Sequence, residues 1–364
     1  MNAQETDAAL QPLRERIDAL DKQLVELLNE RAEVVVEVGK VKRGGEASPI
    51  YAPERERRVL EQVRQWNSGP LSNSCIEAIW RELMSGSFAL ERALRIGYLG
   101  PAGTFSHMAA RRKFGASVDY DELGGISAVF EEVQRGHIDL GVVPIENSIE
   151  GGVGETLDSF LETQINVCAE ILISIHHNLL SNSKIDQITK IYSHPQALGQ
   201  CRGWLSGQLR EADRVPVAST SLAVKMAAQE PGAAAIGSAL AGEIYELHTL
   251  FANIEGNPNN TTRFFVIGNQ STPPTGEDKT AIMFTTAHES GALSDVLDVF
   301  KRHELNLTHI DKRPSKRVNW EYYFFVDFLG HVTEQRVNRA LEDAKRHCLQ
   351  LTVLGSFPKA TDVL

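Results

Sequence analysis

The sequence predicts three bodies of different class in one chain: an all-helical unit, an α/β unit and an α+β unit. Three observations carry that prediction. Apolar residues recur at helical spacing without a break over 10–41. From Leu94 short apolar strands alternate with helical patterns, and beyond a Pro- and Gly-bearing stretch the order becomes strand, helix, strand, strand, helix, strand. A chain of 364 residues also exceeds one ordinary core. The expected division is 1–92 for the helical unit, 93–270 for the α/β unit, 271–278 for a linker and 279–364 for the α+β unit.

Each element follows from local pattern. Leu10, Leu13, Ile17, Leu20, Leu24, Leu27, Leu28, Val34, Val35, Val38 and Val41 form the stripe of one helix, too long to cover its own apolar face within one domain, so dimerisation is expected. Gly44, Gly45, Pro49 and Pro53 break it; helices over 54–66 and 73–91 follow, separated by a second break over 67–72. In the α/β unit, strands over 95–99 and 138–143 alternate with helices over 106–114 and 128–135, which reads as a mainly parallel sheet with ligand loops at the carboxyl ends of its strands. Pro273, Pro274 and Gly276 mark the linker. The last unit reads as strand 279–286, helix 292–302, strands 306–312 and 320–329, helix 333–346 and strand 349–357, the ferredoxin-like βαββαβ order.

Bulk properties exclude several classes. A formal charge of −11 opposes binding to nucleic acid or an anionic membrane. Cys75, Cys168, Cys201 and Cys348 are scattered without a Cys-x-x-Cys pair, so neither a zinc site nor a disulfide framework is expected, in keeping with a reducing cytoplasm. The polar, acidic first ten residues do not read as a signal peptide, and no apolar run reaches membrane-spanning length. No metal or other cofactor is expected.

Candidate chemistry sits at element ends. Residues 257–267, Asn-Pro-Asn-Asn-Thr-Thr-Arg-Phe-Phe-Val-Ile, run from a polar turn into a strand and put Thr261, Thr262 and Arg263 at its mouth. A guanidinium there suits a carboxylate, and a hydroxyl beside it suits a leaving group; alone, the peptide is a capped turn with a surface arginine. Residues 97–107 join a strand, a glycine turn and a helix start, where backbone N–H groups and the hydroxyls of Thr104 and Ser106 can cradle a carboxylate. The spacing is neither a P-loop nor a dinucleotide fingerprint. Residues 143–153, with Glu146, Asn147 and Ser148, and 192–201, with Ser193 and Gln200, place further polar groups at a strand end and a helix start. On the long helix, eleven positions separate Arg31 from Lys42, roughly 16 Å along the axis and about 20° from a shared face, so both can reach one anion. Arg14, seventeen positions before Arg31, reaches that anion only from a paired helix. His107, His176, His177 and His194 lack ligand-spaced acidic partners and read as core or capping residues.

Several of these motifs occur together in known families. Residues 13–21 (Leu-Arg-Glu-Arg-Ile-Asp-Ala-Leu-Asp), Asn29-Glu30-Arg31, 38–42, Glu54-Arg55-Glu56 and 87–91 resemble, in order, the all-helical chorismate mutases over 10 to about 92. The resemblance implies that Arg14 of a partner chain, Arg31 and Arg55 hold the carboxylates of chorismate. It gives Lys42 and Glu91 the ether oxygen whose bond breaks, and Glu56 and Ser87 the hydroxyl. Such a rearrangement needs a held conformer and positive charge where negative charge develops, not a nucleophile. Two positions depart from the family pattern: Ala52 stands where Asp is frequent, and Glu91 where Gln is common. A carboxylate cannot donate a hydrogen bond, so Glu91 is expected to work protonated.

The segments 97–107, 143–153 and 192–201 together with Thr262-Arg263-Phe264 resemble prephenate dehydratase over about 94–268. That family has a two-lobed fold like type II periplasmic binding proteins, with the site in the cleft. By motif, Thr262 becomes the leading catalytic residue, Arg263 and Phe264 shape the site, and Thr104, Ser106, Glu146, Asn147, Ser148, Ser193 and Gln200 contact substrate. The last unit resembles an ACT domain, which implies phenylalanine bound through Gly291, Ala292 and Leu293 and through the segment of Asn306, Leu307, Asp311, Arg313 and Pro314. Asp311 and Lys312 replace the first two residues of the Glu-Ser-Arg-Pro motif usual there. The resemblance as a whole is to bifunctional chorismate mutase/prephenate dehydratases: chorismate to prephenate, then prephenate to phenylpyruvate, in a homodimer inhibited by phenylalanine, with no nucleic-acid or membrane partner. Two rivals stand beside it. A two-lobed small-molecule binding or sensor protein predicts a secretion signal and no cationic helix, whereas a dehydratase whose helices only dimerise predicts no mutase activity.

Overall fold

The computed structural model of the chain describes residues 3–43, 51–315 and 321–364. The expected break at Gly44, Gly45 and Pro49, and Trp320 at the start of an expected strand, lie outside the described residues.

Three helices form the first body: α1 (Ala3–Arg43), α2 (Pro53–Trp66) and α3 (Asn73–Glu91). Proline opens α2, where its missing N–H costs nothing, and the Ser72 hydroxyl caps α3 by accepting from Cys75 N at 3.2 Å. α1 begins ahead of the apolar stripe. Its 41 residues span roughly 60 Å, against roughly 28 Å for the 19 of α3. Most of its stripe is therefore uncovered: Leu13, Ile17, Leu20, Leu24 and Leu27 are all exposed.

Two lobes make up the second body. The first sheet orders its strands Asp119–Leu123, Arg95–Leu99, Leu140–Asn147, Thr261–Gly268, Asn166–Ser174; the second orders His248–Phe251, Asn178–Ser181, Ala233–Gly237, Lys190–Ser193, Asp213–Pro216. The expectation of a mainly parallel sheet needs correction, because each lobe has a parallel core joined to antiparallel strands. The cause is the chain path. After Asn166–Ser174 the chain crosses to the second lobe and later returns as Thr261–Gly268, which inserts antiparallel between Leu140–Asn147 and Asn166–Ser174. The two crossings pair with each other, Ile175 N donating to Asn260 O at 2.8 Å and Ile254 N to His177 O at 2.8 Å.

The third body has the expected βαββαβ order, with strands Leu307–Pro314, Tyr322–Leu329, Asp278–Thr285 and Gln350–Pro358 side by side and antiparallel throughout. Helices Ala292–Arg302 and Gln335–Lys345 cover one face through Ile282, Phe284, Val296, Phe300 and Phe328. By the two-residue alternation of strands, Ala281, Met283, Phe325 and Phe357 point the other way, into a core shared with Val143, Ile145, Phe265 and Ile267 of the first lobe. Gly355 allows the close approach: a Cβ there would sit 2.3 Å from the Val167 carbonyl oxygen. The connecting stretch 271–278 is itself held down, since Thr272 Oγ1 donates to Cys168 O at 3.0 Å and the Thr272 carbonyl lies 2.9 Å from His331 Nε2.

Candidate active sites

Six of the seven side chains expected in the helical site converge. Arg31 and Lys42 of α1, Arg55 and Glu56 of α2, and Ser87 and Glu91 of α3 line one cavity of about 390 Å³, floored by Val35, Val38, Val59, Met84 and Phe88. Arg31 Nη1 donates to Ser87 Oγ at 3.0 Å, and Lys42 Nζ lies 3.0 Å from Glu91 Oε2. Burial, and then the like charge of Arg55, lower the pKa of Arg31 from its ordinary value. Two guanidiniums facing one cavity repel each other until an anion sits between them. Ala52 is also in the wall. Arg14 lies outside this cavity, exposed on α1 and paired with Asp7 at 2.8 Å.

A second cavity, of about 350 Å³, lies between the two lobes. Thr104, Ser106, Asn147, Gln200, Thr262 and Phe264 line it as expected. At its floor Asn147 Nδ2 donates to Thr262 Oγ1 at 2.8 Å and to Asn260 Oδ1 at 2.8 Å, while Asn147 Oδ1 accepts from the backbone N–H groups of Ile149 and Glu150. Those two backbone donors fix which end of the amide faces Thr262. Because Asn147 occupies a lone pair of Oγ1, the hydrogen of Thr262 is directed elsewhere. Asn260 Nδ2 in turn donates to Gln200 Oε1 at 3.2 Å, which also lies 2.8 Å from His177 Nε2. Burial holds His177 below the usual imidazole range, although Gln200 acts in the opposite direction.

Helix starts from both lobes meet this cleft. Thr104 Oγ1 accepts from His107 N at 3.3 Å to cap helix Phe105–Phe114, and Ser219 Oγ accepts from Leu222 N at 3.1 Å to cap helix Thr220–Ala227. Their N-termini present backbone N–H groups and dipole charge suited to an anion. His107 stacks on Tyr98 with ring centroids 4.5 Å apart, and burial followed by Arg111 pushes its pKa down to about 4, so it is a neutral core residue. His177 and His194 border the cleft.

Four expected contacts point elsewhere. Alternation along Thr261–Gly268 sends Thr262 and Phe264 toward the cleft and Arg263 away from it. Arg263 is buried, with Nε donating to Glu170 Oε2 at 2.7 Å and Nη1 lying 2.5 Å from Asp327 Oδ2 of the third body. Burial alone would lower its pKa, but the charges of Asp327 and Glu170 outweigh that and raise it. Glu146 faces His309 of the third body at 3.1 Å; Ser193 Oγ donates to Ile236 O at 2.8 Å; Ser148 Oγ accepts from Thr261 N at 3.0 Å. These residues hold the strands that carry the cleft rather than lining it.

In the third body, Gly291 takes φ +89° just before helix Ala292–Arg302, a left-handed conformation that glycine adopts without strain. Ala292 and Leu293 join Thr286, Glu289, Tyr322 and Phe324 around a cavity of about 150 Å³. Asn306 and Leu307 pair with the neighbouring strand, and Pro314 lies opposite Tyr322. Asp311 packs on Gly152, and Arg313 forms a bidentate pair with Asp158 at 2.8 and 2.8 Å, so this segment faces the first lobe. Sequence reasoning missed Asn260, His177 and Ser219–Thr220 of the cleft. The hydroxyl run Ser219-Thr220-Ser221 before an apolar helical pattern is a legible helix start, and Asn260 directly precedes the strand mouth; His177 had no local signal.

Comparison with known proteins places the chain in a family. The family model for chorismate mutase type II matches residues 13–92, and that for prephenate dehydratase matches residues 96–272. A bifunctional chorismate mutase/prephenate dehydratase of Pseudomonas aeruginosa is 45% identical over 96% of this chain and 98% of its own length, and one of Stutzerimonas stutzeri is 44% identical with the same coverage. The crystal structure of a prephenate dehydratase from Arthrobacter aurescens in complex with L-Phe is 33% identical, covers 73% of this chain and 90% of its own, and gives a TM-score of 0.69. With both family models in order on one chain, and near full-length identity to relatives carrying both activities, the protein belongs to the bifunctional chorismate mutase/prephenate dehydratase family.

Proposed function

We propose that the helical cavity is the mutase site and the interlobe cleft the dehydratase site, with units bounded at 1–92, 93–270 and 279–364 and joined by 271–278. The observation that carries the first assignment is the convergence of Arg31, Arg55 and Lys42 on one small cavity. Arg31 and Arg55 bind the carboxylates of chorismate, and Lys42 with Glu91 meets the ether oxygen as negative charge grows there, while Glu56 and Ser87 hold the hydroxyl. The exposed stripe of α1 supports a homodimer in which Arg14 reaches the cavity of the second chain. The scattered free cysteines fit a cytoplasmic enzyme.

In the cleft, the two helix N-termini bind the prephenate dianion and Thr262 donates to the departing hydroxyl. The donor bond from Asn147 into Thr262 Oγ1 supports this role, since it turns the Thr262 hydrogen outward. Carbon dioxide and hydroxide leave, and aromatisation drives the step. Threonine is a weak acid, so its contribution is a hydrogen bond that strengthens in the transition state.

The third body is read as an ACT domain that binds phenylalanine beside Gly291, Ala292 and Leu293, where a small cavity opens; the Arthrobacter aurescens relative, solved in complex with L-Phe, supports phenylalanine as the ligand. Its strand Leu307–Pro314 touches the dehydratase unit through Arg313–Asp158 and through His309–Glu146, the latter one position from Asn147 on strand Leu140–Asn147. A coupled assay from chorismate through prephenate to phenylpyruvate, with and without phenylalanine, tests all three assignments. Both conversions and their suppression by phenylalanine are the expected result; a chain that dehydrates prephenate but leaves chorismate untouched would refute the first.

A further inference from the structure

Lys113 belongs to the last turn of helix Phe105–Phe114 in the dehydratase unit, yet its Nζ lies 2.9 Å from Glu56 Oε2 in the mutase unit. Glu56 is only 8% exposed and borders two spaces, the mutase cavity and the cleft between the helical and α/β units. The Tyr51 hydroxyl donates to the same Oε2 at 3.2 Å, and the Lys113 ammonium stands 6.0 Å from the Tyr51 ring centroid. Burial, and then the Glu56 charge, raise the pKa of Tyr51 well above its ordinary value, so it stays a donor. Among the described residues both contacts fall on Oε2, and the residue itself lines the cavity.

A buried carboxylate beside a site for a dianion is an electrostatic liability. It repels the incoming substrate unless a cation compensates it from behind, and it must be held in one rotamer to accept a hydroxyl. Tyr51 holds the carboxylate from within the mutase unit, but the compensating cation comes from outside it. We propose that Lys113 is a positioning residue for the mutase reaction, fixing and neutralising Glu56 so that the second carboxylate oxygen accepts the substrate hydroxyl. The proposal rests on the assignment of Glu56 to that hydroxyl. It also gives one helix an end at each site, because Phe105 and Ser106 at the opposite terminus line the dehydratase cleft, roughly 15 Å away along ten residues.

The test uses the full chain with Lys113→Met, Lys113→Arg, Glu56→Gln and the double variant Glu56→Gln/Lys113→Met, each assayed for both reactions. Lys113→Met is expected to raise KM for chorismate about tenfold with a smaller fall in kcat, and Lys113→Arg to recover all but about threefold. Dehydratase kcat/KM should be unchanged, and Lys113→Met should add nothing in the Glu56→Gln background. An unaltered mutase KM in Lys113→Met overturns the proposal. So does an equal loss in both Glu56 backgrounds, or a matching loss of dehydratase activity that marks a folding defect. Arg31→Ala, run alongside, separates the two levels: retained mutase activity there removes the site assignment and the proposal with it, whereas its normal loss beside an unaffected Lys113→Met overturns Lys113 alone.

Discussion

The helical cavity, proposed as the mutase site, and the interlobe cleft, proposed as the dehydratase site, are built for anions in opposite ways. Three cations and two carboxylates, all on helices, face the first. The second is lined by neutral donors and acceptors, among them Asn147, Asn260, Gln200 and Thr262, with two helix N-termini and, among the described residues, Glu150 as the one carboxylate and no lysine or arginine. The guanidinium next to Thr262 in the chain, that of Arg263, is turned inward to Glu170 and Asp327. The chemistry accounts for the difference. A pericyclic rearrangement keeps both carboxylates while charge builds on an ether oxygen, so fixed cations favour its transition state. A carboxylate leaving as carbon dioxide loses its charge, and a guanidinium clamped on it would stabilise the ground state more than the transition state.

That contrast breaks most readily at Arg31. Arg31→Ala should lower mutase kcat/KM by about 10³-fold while leaving prephenate turnover intact, measured as chorismate loss; residual activity near wild type removes charge from the account. Next in size, Thr262→Val should lower dehydratase kcat about 10²-fold, about 3 kcal/mol, with KM little changed. Near-normal turnover there would show that a neutral hydroxyl does not drive the second site. Asn260→Ala, which removes the amide between Asn147 and Gln200, should cost about tenfold. Smaller still is the effect at Glu91, whose ion pair with Lys42 opposes the expectation that it works protonated: Glu91→Gln should free Lys42 and raise mutase kcat/KM about threefold, measured as chorismate loss. An unchanged kcat/KM in the variant would show that the Lys42–Glu91 pair costs the reaction nothing.

The smallest expected effect lies at the join of the first lobe and the third body. Burial pulls His309 down, but Glu146 and Asp327 raise its pKa on balance, and the hydrogen bond from His309 lowers that of Glu146. The histidine contribution is therefore full below the ordinary imidazole value near 6.5 and fades as pH rises through the raised one; the carboxylate contribution is present above about 4.5 and fades on acidification. Glu146 is part-exposed, so screening keeps the effect to about 1 °C in Tm. His309→Gln should abolish the dependence above pH 6.5, read by thermal unfolding across pH, and should weaken inhibition by phenylalanine.

How far each site was legible follows from how it is built. Helix spacing places Arg31 and Lys42 on one face whatever surrounds them, and α2 and α3 bring Arg55, Glu56, Ser87 and Glu91 to it, so six of the seven expected residues line one cavity while Arg14 lies outside it. The dehydratase list divided. Strand alternation, readable once the strand start is known, separates Thr262 and Phe264 from Arg263; but Glu146, Ser148 and Ser193 were judged by motif, and motif does not say which face a side chain takes. Asn260 and His177 lie on the two crossings between lobes, where no periodicity operates.

By itself the sequence determined the element types, the three bodies and the residues whose spacing on one helix or at one strand mouth makes them neighbours, because these depend on local stereochemistry and on short-range periodicity. Only the tertiary structure decided the antiparallel return of Thr261–Gly268, the inward turn of Arg263 to Asp327, and the reach of Lys113 to Glu56. Those pairs are separated by tens to hundreds of residues, and a charge finds such a partner only when packed elements bring both out of water together.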